Sequence, residues 1–350
     1  MARSTERAGR REAVNIALFD SSTLVGKRVK SHLAIRHFPV GRVRLFDTGV
    51  VEEGGNLSEF AGEPALVTRP DREEMERMDL AFYCGRAGSG KEYLDWANRG
   101  SFVAIDLSLS ANHLEGVPVV NASVNPSAVK GHEGILASPH PVSQFLSTVL
   151  APISRSLPLE EVVSLVMQPA SEEGEKGIEE LYRQTVDLLN FREAPKDLFG
   201  RVLAFNLVPA TLAVERGAPE DWIAREVGTI LGGRGFPHAI KILLVPVFHC
   251  HAFVSRVRFR EQVPPERIRE ALAGEPSIRI QDESGSATPA ELAGEEKIVL
   301  GEIRPDPSVK GGFWFWGVTD NLATGASLNA VRIAEELVKS GSLARRRRTP

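Results

Sequence analysis

Residues 14–35 constrain the fold of this chain more than any other segment. An apolar stretch from Val14 to Phe19 enters a short polar loop, and apolar side chains then recur at helical spacing. A buried strand that turns into a helix is the opening unit of a dinucleotide-binding sheet, whose loop normally carries glycines as G-x-G-x-x-G. Only the third glycine is present, as Gly26, whereas Asp20 and Thr23 stand at the first and second positions. The segment therefore predicts the sheet but not its usual ligand.

The composition limits the class of protein. The 350 residues are 42% hydrophobic and 25% charged, which is typical of a globular chain long enough for two domains. A net charge of −4 gives no reason to expect binding to nucleic acid or to a membrane. The chain has two cysteines, a charged start without a signal segment, and no apolar run of ~18–20 residues. These features predict a soluble, cytoplasmic protein.

The first part of the chain alternates between strand and helix patterns. Strands are predicted at 14–19, 43–46, 79–83 and 101–105, and helices at 24–35 and 89–98. This alternation predicts an α/β fold with a Rossmann-like, doubly wound parallel sheet over 14–138. Such sheets bind ligands at the carboxyl ends of their strands, where this sequence places Asp20, Asp47, Cys84 and Asp106.

The pattern changes after about residue 135. Stretches rich in β-forming residues at 159–167, 239–260, 296–304 and 312–319 are combined with helical patterns at 142–153, 175–190 and 221–231. We expect an α+β domain over 139–325, then a helix over 326–340 that packs back on the first domain and is capped by Asp320 or Thr324. Residues 1–13 are predicted to be disordered, and the basic tail at 341–350, with its run from Arg345 to Arg348, is interpreted as a solvated terminus.

Several segments, taken together and in order, resemble the aspartate-semialdehyde dehydrogenases. The segments are Val25-Gly26 in the first loop and the stretches at 103–108, 117–120, 124–126, 168–174, 204–209, 245–251 and 320–330. The resemblance runs over roughly residues 14–340. It implies the fold of a phosphorylating, NADP-dependent enzyme of amino-acid biosynthesis. It also implies a homodimer that pairs through a dimerisation and substrate domain of the semialdehyde dehydrogenase type.

The family's nucleophile is missing from the matching position. The resemblance implies a cysteine thiolate at the start of a helix, which attacks the aldehyde before hydride passes to the nicotinamide. In the matching segment at 138–143, Pro141 stands where that cysteine is expected. Proline offers no nucleophile, although it suits the first turn of a helix. We therefore expect the helix start to be kept and the reaction to be lost.

At the other positions of the site, some of the family's residues are retained in this chain and others are replaced. By resemblance, the acid/base histidine, the glutamine that orients the substrate and the glutamate that contacts its amine are retained as His251, Gln168 and Glu226. Three positions that carry cations in the family hold Leu244, Asn112 and Thr229. Each such charged contact contributes roughly 1.5–3 kcal/mol. Their loss is expected to nearly abolish binding of phosphate and of the aspartyl substrate.

Other side chains are weaker candidates for chemistry. Cys250 replaces a family glycine, and alternation along a strand would turn it away from His251. His249 and His251 would need further ligands to hold a metal, so no metal site is expected. A hydrolase built on Ser143 and His140 would need an orienting acid and an oxyanion hole, for which the sequence offers no candidate. Cys84 is interpreted as a small buried residue.

The changes in the first loop oppose cofactor binding. Asp20 adds negative charge where phosphates would lie, and Thr23 adds a branched Cβ where the backbone must approach them. Asp47 could accept the ribose 2′-hydroxyl of NAD, or it could be a solvated acid at a strand end. We therefore expect no cofactor, with NAD favoured over NADP if any binds. The contacts would then come from Ser22, Gly26, Asp47 and Gly85.

Three functions remain open at this point. The favoured one is a non-catalytic paralogue, similar to the Usg-type relatives in bacteria, that forms a homodimer or associates with an active paralogue. The second is a divergent NAD-dependent oxidoreductase that acts on an aldehyde or semialdehyde through His251. The third is a true aspartate-semialdehyde dehydrogenase. The first is favoured because the nucleotide loop, the nucleophile and the cations all depart from the family together.

Overall fold

The structure is a computed structural model that describes most of the chain. The described residues are 13–49, 51–52, 54–86, 89, 91–99, 102–213, 219–233, 235–281 and 287–343. The predicted disordered start, apart from residue 13, and the arginines at 345–348 lie outside these ranges.

The N-terminal part forms sheet A, which has the strand order β3-β4-β2-β1-β5-β6-β7. Its strands are β1 Val14–Phe19, β2 Val40–Phe46, β3 Asn56–Phe60, β4 Glu63–Thr68, β5 Leu80–Tyr83, β6 Val103–Asp106 and β7 Ile135–Ala137. Neighbouring strands pair in parallel, except that β3 and β4 form an antiparallel hairpin at the edge. The predicted Rossmann-like sheet is confirmed, whereas the hairpin was not predicted.

Helices cover both faces of sheet A. They are α1 Leu24–Ile35, α2 Arg72–Met75 and α3 Lys91–Arg99. Val29 and Leu33 of α1 belong to the core on one face, and Met75 and Leu94 belong to the core on the other. Because connections leave β1 and β5 toward opposite sides of the sheet, the loops that follow these two strands border the crevice where such folds bind ligands.

The second part forms sheet B, which has the order β12-β13-β14-β11-β8-β10-β9 and mixes parallel with antiparallel pairs. Its strands are β8 Leu159–Gln168, β9 Val208–Pro209, β10 His238–Leu244, β11 His251–Phe259, β12 Ile278–Ile280, β13 Ile298–Pro305 and β14 Gly312–Thr319. The accompanying helices are α4 Pro141–Ser156, α5 Gly174–Leu189, α6 Ala210–Ala213, α7 Pro219–Ile230, α8 Pro265–Ala273 and α9 Pro289–Leu292, with 3₁₀ helices at Pro126–Gly131 and Ala170–Glu173. The predicted α+β architecture is confirmed.

The stretch predicted as β-rich over 239–260 is two strands with a loop between them. Strand β10 ends at Leu244 and β11 begins at His251. Pro246 lies in the intervening loop and has no N–H for a ladder bond, and Cys250 has a φ of +72°. The expected alternation of His249, Cys250 and His251 along one strand was therefore wrong.

The last helix, α10 Ala326–Ser340, packs against α1 and supplies Ala330 and Ile333 to the core of sheet A. The predicted cap was wrong, because Gly325 occupies the N-cap position and makes no side-chain cap bond. Asp320 instead accepts hydrogen bonds from the backbone N–H groups of Leu322 and Ala323, at 2.7 and 3.2 Å. No helix in the described ranges is long and apolar enough to cross a membrane.

Candidate functional site

The loop between β1 and α1 is closed by its own side chains. Thr23 is the N-cap of α1, and its Oγ1 accepts a hydrogen bond from the Gly26 N–H at 3.1 Å. The same hydroxyl lies 2.8 Å from the Asp20 carbonyl oxygen and 3.1 Å from the Cys84 carbonyl oxygen. A Cβ on Gly26 would come within 2.6 Å of the Asp20 carbonyl oxygen. Gly26 therefore permits the close helix–strand packing expected of the third glycine.

The Asp20 side chain bridges three loops at the carboxyl end of sheet A. Its Oδ1 accepts hydrogen bonds from the backbone N–H and the hydroxyl of Thr48, at 2.9 and 2.7 Å. Its Oδ2 accepts one from the Ser89 hydroxyl at 3.4 Å. A Cβ on Gly85 would come within 2.0 Å of Asp20 Oδ2. The carboxylate thus lies directly against the backbone of the loop that follows β5.

The other acids at strand ends are also held by the chain itself. Asp47 accepts hydrogen bonds from the backbone N–H of Ser22, at 3.3 Å, and from the Ser22 hydroxyl. Asp106 is buried and accepts bonds from the Ser108 hydroxyl and the Ala111 N–H, at 2.6 and 2.7 Å. Burial raises the pKa of Asp106, and these bonds oppose that rise. Cys84 is buried as interpreted, and its burial raises the pKa of the thiol.

Helix α4 begins at Pro141, as the sequence predicts. Pro141 occupies the first helical position, and His140 is the N-cap, whose Nδ1 accepts a hydrogen bond from the Val142 N–H at 3.1 Å. The His140 ring contacts Trp222 edge-on, with 5.6 Å between the ring centroids. Burial lowers the pKa of His140 to about 4. Because its Nδ1 serves the helix cap, His140 is poorly suited to activate the buried Ser143.

Glu226 forms hydrogen bonds with two other parts of the candidate site. Its Oε1 accepts a bond from the Asn112 amide at 2.7 Å, and its Oε2 accepts one from the His140 N–H at 3.0 Å. The Asn112 amide also donates to the Ser138 carbonyl oxygen at 3.0 Å. Burial raises the pKa of Glu226, and the Ser143 hydroxyl, the Asn112 amide and the His140 N–H oppose that rise. The residue matched to a lost cation, Asn112, therefore contacts the residue matched to a substrate ligand.

His251 lies at the start of β11 and is fully buried. Among the residues that the structure describes, neither of its ring nitrogens has a hydrogen-bond partner. Burial lowers the pKa of His251 to about 3, and the neighbouring His140 adds to that effect. Its Nε2 is 3.8 Å from Glu172 Oε2. Burial, reinforced by the charge of Glu173, raises the pKa of Glu172 to about 8. Near neutral pH both partners are therefore predominantly uncharged.

Glu172 is a partner of His251 that was not predicted from the sequence. Glu172 lies in the 3₁₀ helix that follows β8, whereas His251 begins β11. The two strands pair in antiparallel, with Ala252 opposite Met167, and this register brings the end of β8 to the start of β11. The contact could have been predicted only together with the antiparallel pairing of the β8 and β11 segments.

Pro141 and His251 line the same small cavity. Its volume is about 20 Å³, and its other lining residues include Phe145, Asn321 and Arg332. A cavity of this size holds about one water molecule. The structure therefore brings the position of the missing nucleophile and the matched histidine to one site.

The remaining predicted site residues do not line this cavity. Gln168 ends β8 and is paired in register with Leu244 of β10. Leu244 is buried in the apolar core, and Thr229 is exposed on α7 with its hydroxyl 3.1 Å from the Arg225 carbonyl oxygen. Leu244 therefore offers core packing, and the Thr229 hydroxyl bonds within its own helix.

Cys250 lies in an apolar cluster rather than beside a base. Its neighbours in the cluster include Ala252, Leu292 and Val318. Burial raises the pKa of its thiol to about 12, and a thiol of this kind is a poor nucleophile at neutral pH. Within the described ranges, His, Cys, Asp and Glu side chains form no cluster of three or more that could hold a metal ion.

Comparisons with known proteins place this geometry among semialdehyde dehydrogenases. The family described as semialdehyde dehydrogenase, dimerisation domain, matches residues 150–324. Aspartate-semialdehyde dehydrogenase from Synechocystis is 26% identical over 336 residues, which cover 94% of this chain and 99% of that protein. A USG-1 protein homologue from Pseudomonas aeruginosa is 29% identical over 334 residues, which cover 94% of this chain and 98% of that protein.

Solved structures agree with the sequence comparison. Aspartate-semialdehyde dehydrogenase II from Vibrio cholerae, solved in complex with ASA, has a TM-score of 0.87 and is 26% identical, covering 94% of this chain and 99% of that chain. An aspartate-semialdehyde dehydrogenase from Candida albicans, solved with NADP, has a TM-score of 0.71 at 16% identity and covers 95% of this chain and 99% of that chain. The second likeness concerns the fold alone.

Proposed function

The chain belongs to the semialdehyde dehydrogenase family, and we propose that it is a non-catalytic homologue of aspartate-semialdehyde dehydrogenase that acts through binding and association. The observation that carries this proposal is Pro141 at the first position of α4, where the resemblance places the nucleophilic cysteine. A pyrrolidine ring whose nitrogen is part of a peptide bond cannot form the covalent intermediate on which the family's reaction depends.

The retained residues support the proposal because they are engaged or uncharged. Each carboxylate oxygen of Glu226 already accepts a hydrogen bond from the chain itself, which leaves fewer acceptor positions for a substrate amine. His251 has a pKa near 3, so it is a weak base at neutral pH. His251 and Glu226 therefore persist with structural roles in place of catalytic ones.

The cofactor proposal follows the same reasoning. Asp20 and Asp47 place two carboxylates where a dinucleotide would bring its pyrophosphate and ribose, and both already accept hydrogen bonds from neighbouring residues. We expect no cofactor under ordinary conditions, although one aspartate-semialdehyde dehydrogenase that shares this fold was solved with NADP. If a dinucleotide binds, Asp47 favours NAD, because a carboxylate repels the 2′-phosphate of NADP.

The outer face of sheet B supports a homodimer. Helices α4, α7 and α8 cover the inner face, whereas cross-strand rows on the outer face run through Leu165, Val254 and Trp316 and through Val163, Arg256 and Trp314. Leu165 and Trp314 are each 38% exposed. This face combines exposed apolar side chains with Arg256, which pairs with Glu161. Exposed apolar side chains grouped in this way are typical of a protein–protein contact, and the matching family is described by its dimerisation domain. Hetero-association with an active paralogue would use the same face.

A coupled assay of activity and ligand binding tests the proposal. Wild-type protein, Pro141→Cys and an active aspartate-semialdehyde dehydrogenase are incubated with aspartate semialdehyde, phosphate and NADP or NAD. We expect reduced cofactor only from the active enzyme. Pro141→Cys should remain inactive, because Leu244, Asn112 and Thr229 do not restore the lost cations. Phosphate-dependent turnover by the wild-type protein would refute the proposal.

A second candidate function rests on Glu172 and His251. Buried titratable groups with strongly shifted pKa values are frequent at functional sites, and these two side chains lie 3.8 Å apart. They would suit a divergent NAD-dependent oxidoreductase that moves a proton between them. Thermal unfolding with millimolar NAD separates the candidates, since a ligand at 100 times its Kd adds roughly 2.7 kcal/mol to the unfolding free energy. A clear shift favours the oxidoreductase.

A further inference from the structure

The Asp20 carboxylate lies in the crevice between the loops that follow β1 and β5, where open parallel sheets receive the phosphates of a dinucleotide. Resting on the proposed loss of cofactor binding, we infer that this carboxylate is a built-in occupant of that position. Together with Thr23, it keeps the crevice between β1 and β5 closed to dinucleotides. The dinucleotide would then fail to bind because the Asp20 carboxylate takes the place of its phosphate. Removal of the carboxylate should restore affinity for the dinucleotide without any other change to the fold.

The position of Asp20 is the first support. It directly follows β1, and Gly85 lies two residues after the end of β5. In open parallel sheets of this type, the dinucleotide lies in the crevice outside the carboxyl ends of these two central strands, with its pyrophosphate at the N-terminus of the helix that follows the first of them. A Cβ on Gly85 would lie only 2.0 Å from Asp20 Oδ2, so the carboxylate fills this gap up to the opposite backbone.

The hydrogen-bond donors around Asp20 are the second support. The backbone N–H and the hydroxyl of Thr48 donate to the carboxylate. On the other side the Ser89 hydroxyl lies 3.4 Å from the carboxylate and 2.8 Å from the Arg86 carbonyl oxygen. Backbone N–H groups and hydroxyls in loops at strand ends are the donors that commonly hold phosphate. Here an anion of the chain uses them, so an incoming phosphate would meet both a negative charge and occupied donors.

Thr23 closes the same crevice from the α1 side. Its hydroxyl lies within hydrogen-bonding distance of the carbonyl oxygens of Asp20 and Cys84, which belong to the two loops that border the crevice. Ser22, which lies between Asp20 and Thr23 in the sequence, donates hydrogen bonds to Asp47. The side chains of Asp20, Ser22 and Thr23 therefore contact partners within the chain, whereas the buried Ser21 hydroxyl has no hydrogen-bond partner among the described residues.

The backbone of Asp20 makes a clean test feasible. Its φ is +52°, a conformation that glycine adopts without strain. Asp20→Gly therefore removes the carboxylate and keeps the turn. Thr23→Gly is also tolerable, because glycine at an N-cap costs only a few tenths of a kcal/mol relative to threonine. The double variant should retain the fold, which circular dichroism and thermal unfolding will verify.

Isothermal titration with NAD is the decisive measurement. We expect Asp20→Gly/Thr23→Gly to bind NAD at least about tenfold more tightly than the wild type, since one buried negative charge beside a diphosphate opposes binding by that order. Asp20→Asn, which keeps a side chain of similar size, should show a smaller gain. Thr48→Val is the matched control: it removes a hydrogen bond to the carboxylate but leaves the charge, and should not gain affinity.

Two results would overturn the inference. One is a folded double variant whose affinity for NAD equals that of the wild type. The other is an equal gain for Thr48→Val, which would point to loosening of the loop and not to the carboxylate. Neither result affects the proposal of a non-catalytic protein, which depends on Pro141. Turnover by the wild type, in contrast, would refute both the proposal of a non-catalytic protein and the inference about the Asp20 carboxylate. Failure of the inference alone is therefore distinguishable from failure of the proposed function.

Discussion

Glu172 and His251 predict how the stability of this protein depends on pH. The folded protein holds Glu172 with a pKa near 8, above its usual value of 4.5. The stability that comes from its bound proton is present in full below pH 4.5 and is lost as the pH rises through about 8. His251 has the opposite sign: its neutral form stabilises the fold above pH 6.5, and this contribution is lost as the pH falls toward about 3.

The range from pH 6.5 to 8 approaches the folded-state pKa of Glu172 from below. His32, His140, His238 and His251 have lowered pKa values and are neutral in the folded protein over this range, whereas in the unfolded chain they still bind protons near pH 6.5. This histidine contribution has the opposite sign and is common to the wild type and a Glu172 variant, so comparison of the two proteins isolates the glutamate. One extra proton on the folded protein lowers the unfolding free energy by about 1.4 kcal/mol per pH unit. Because Glu172 in the folded protein is only half ionised near pH 8, its ionisation should lower the unfolding free energy of the wild type by about 1.5–2 kcal/mol between pH 6.5 and 8.

Glu172→Gln is the corresponding perturbation, because glutamine has nearly the same shape and does not ionise. Urea unfolding at pH 6.5 and pH 8 measures the free energy of both proteins. The difference between the two pH values should be smaller in the variant by about 1.5–2 kcal/mol. Glu179→Gln, an exposed change on α5, is the matched control and should keep the wild-type dependence. Equal pH dependence in wild type and Glu172→Gln would show that Glu172 ionises normally in the folded protein.

Four further substitutions test packing, the contact between α1 and α10, and assembly. Gly26→Ala should lower the unfolding free energy, measured by urea unfolding, by about 1–3 kcal/mol, because its Cβ would meet backbone atoms at 2.6–2.9 Å. Gly228→Ala on α7, with open space around it, should raise the unfolding free energy by about 1 kcal/mol. Arg36→Ala should cost about 0.5–1 kcal/mol, less at high salt, because Arg36 makes a paired contact with Glu335 at 2.7 and 2.8 Å; an unchanged Arg36→Ala protein would argue against that contact. Trp314→Glu should shift light scattering from dimer to monomer, and a dimer that persists would exclude the outer face of sheet B as the interface.

The strand and helix order of the first domain could be predicted because its signals are local. A continuous apolar run at 14–19, followed by helical spacing that includes Val29 and Leu33, is visible without knowledge of the rest of the chain. The start of α4 was predictable for the same reason, since Pro141 fits the first turn of a helix whatever lies around it. The β3–β4 hairpin has a weaker signal. It lies at the edge of the sheet with Leu57 and Leu66 exposed, so no buried face imposes a strong pattern.

The contacts that define the site could not be predicted, because each joins segments that are distant in sequence. Asn112 meets Glu226, and Asp20 meets Thr48 and Ser89, only after the sheets and their covering helices have assembled. The sequence does show that Asp20 and Asn112 differ from the expected glycine and arginine. It does not show that each side chain would then find a partner within the same protein.

Helix α10 has a consequence for the order in which the protein can fold during synthesis. The strands of sheet A lie between residues 14 and 137, yet Ala330, Ile333 and Leu337 complete the core on one of its faces. A nascent chain that has released all of sheet A from the ribosome still exposes the apolar surface that these side chains cover. The first domain must wait for nearly the whole chain, so premature termination shortly before residue 326 should leave an aggregation-prone product even though both sheets are complete.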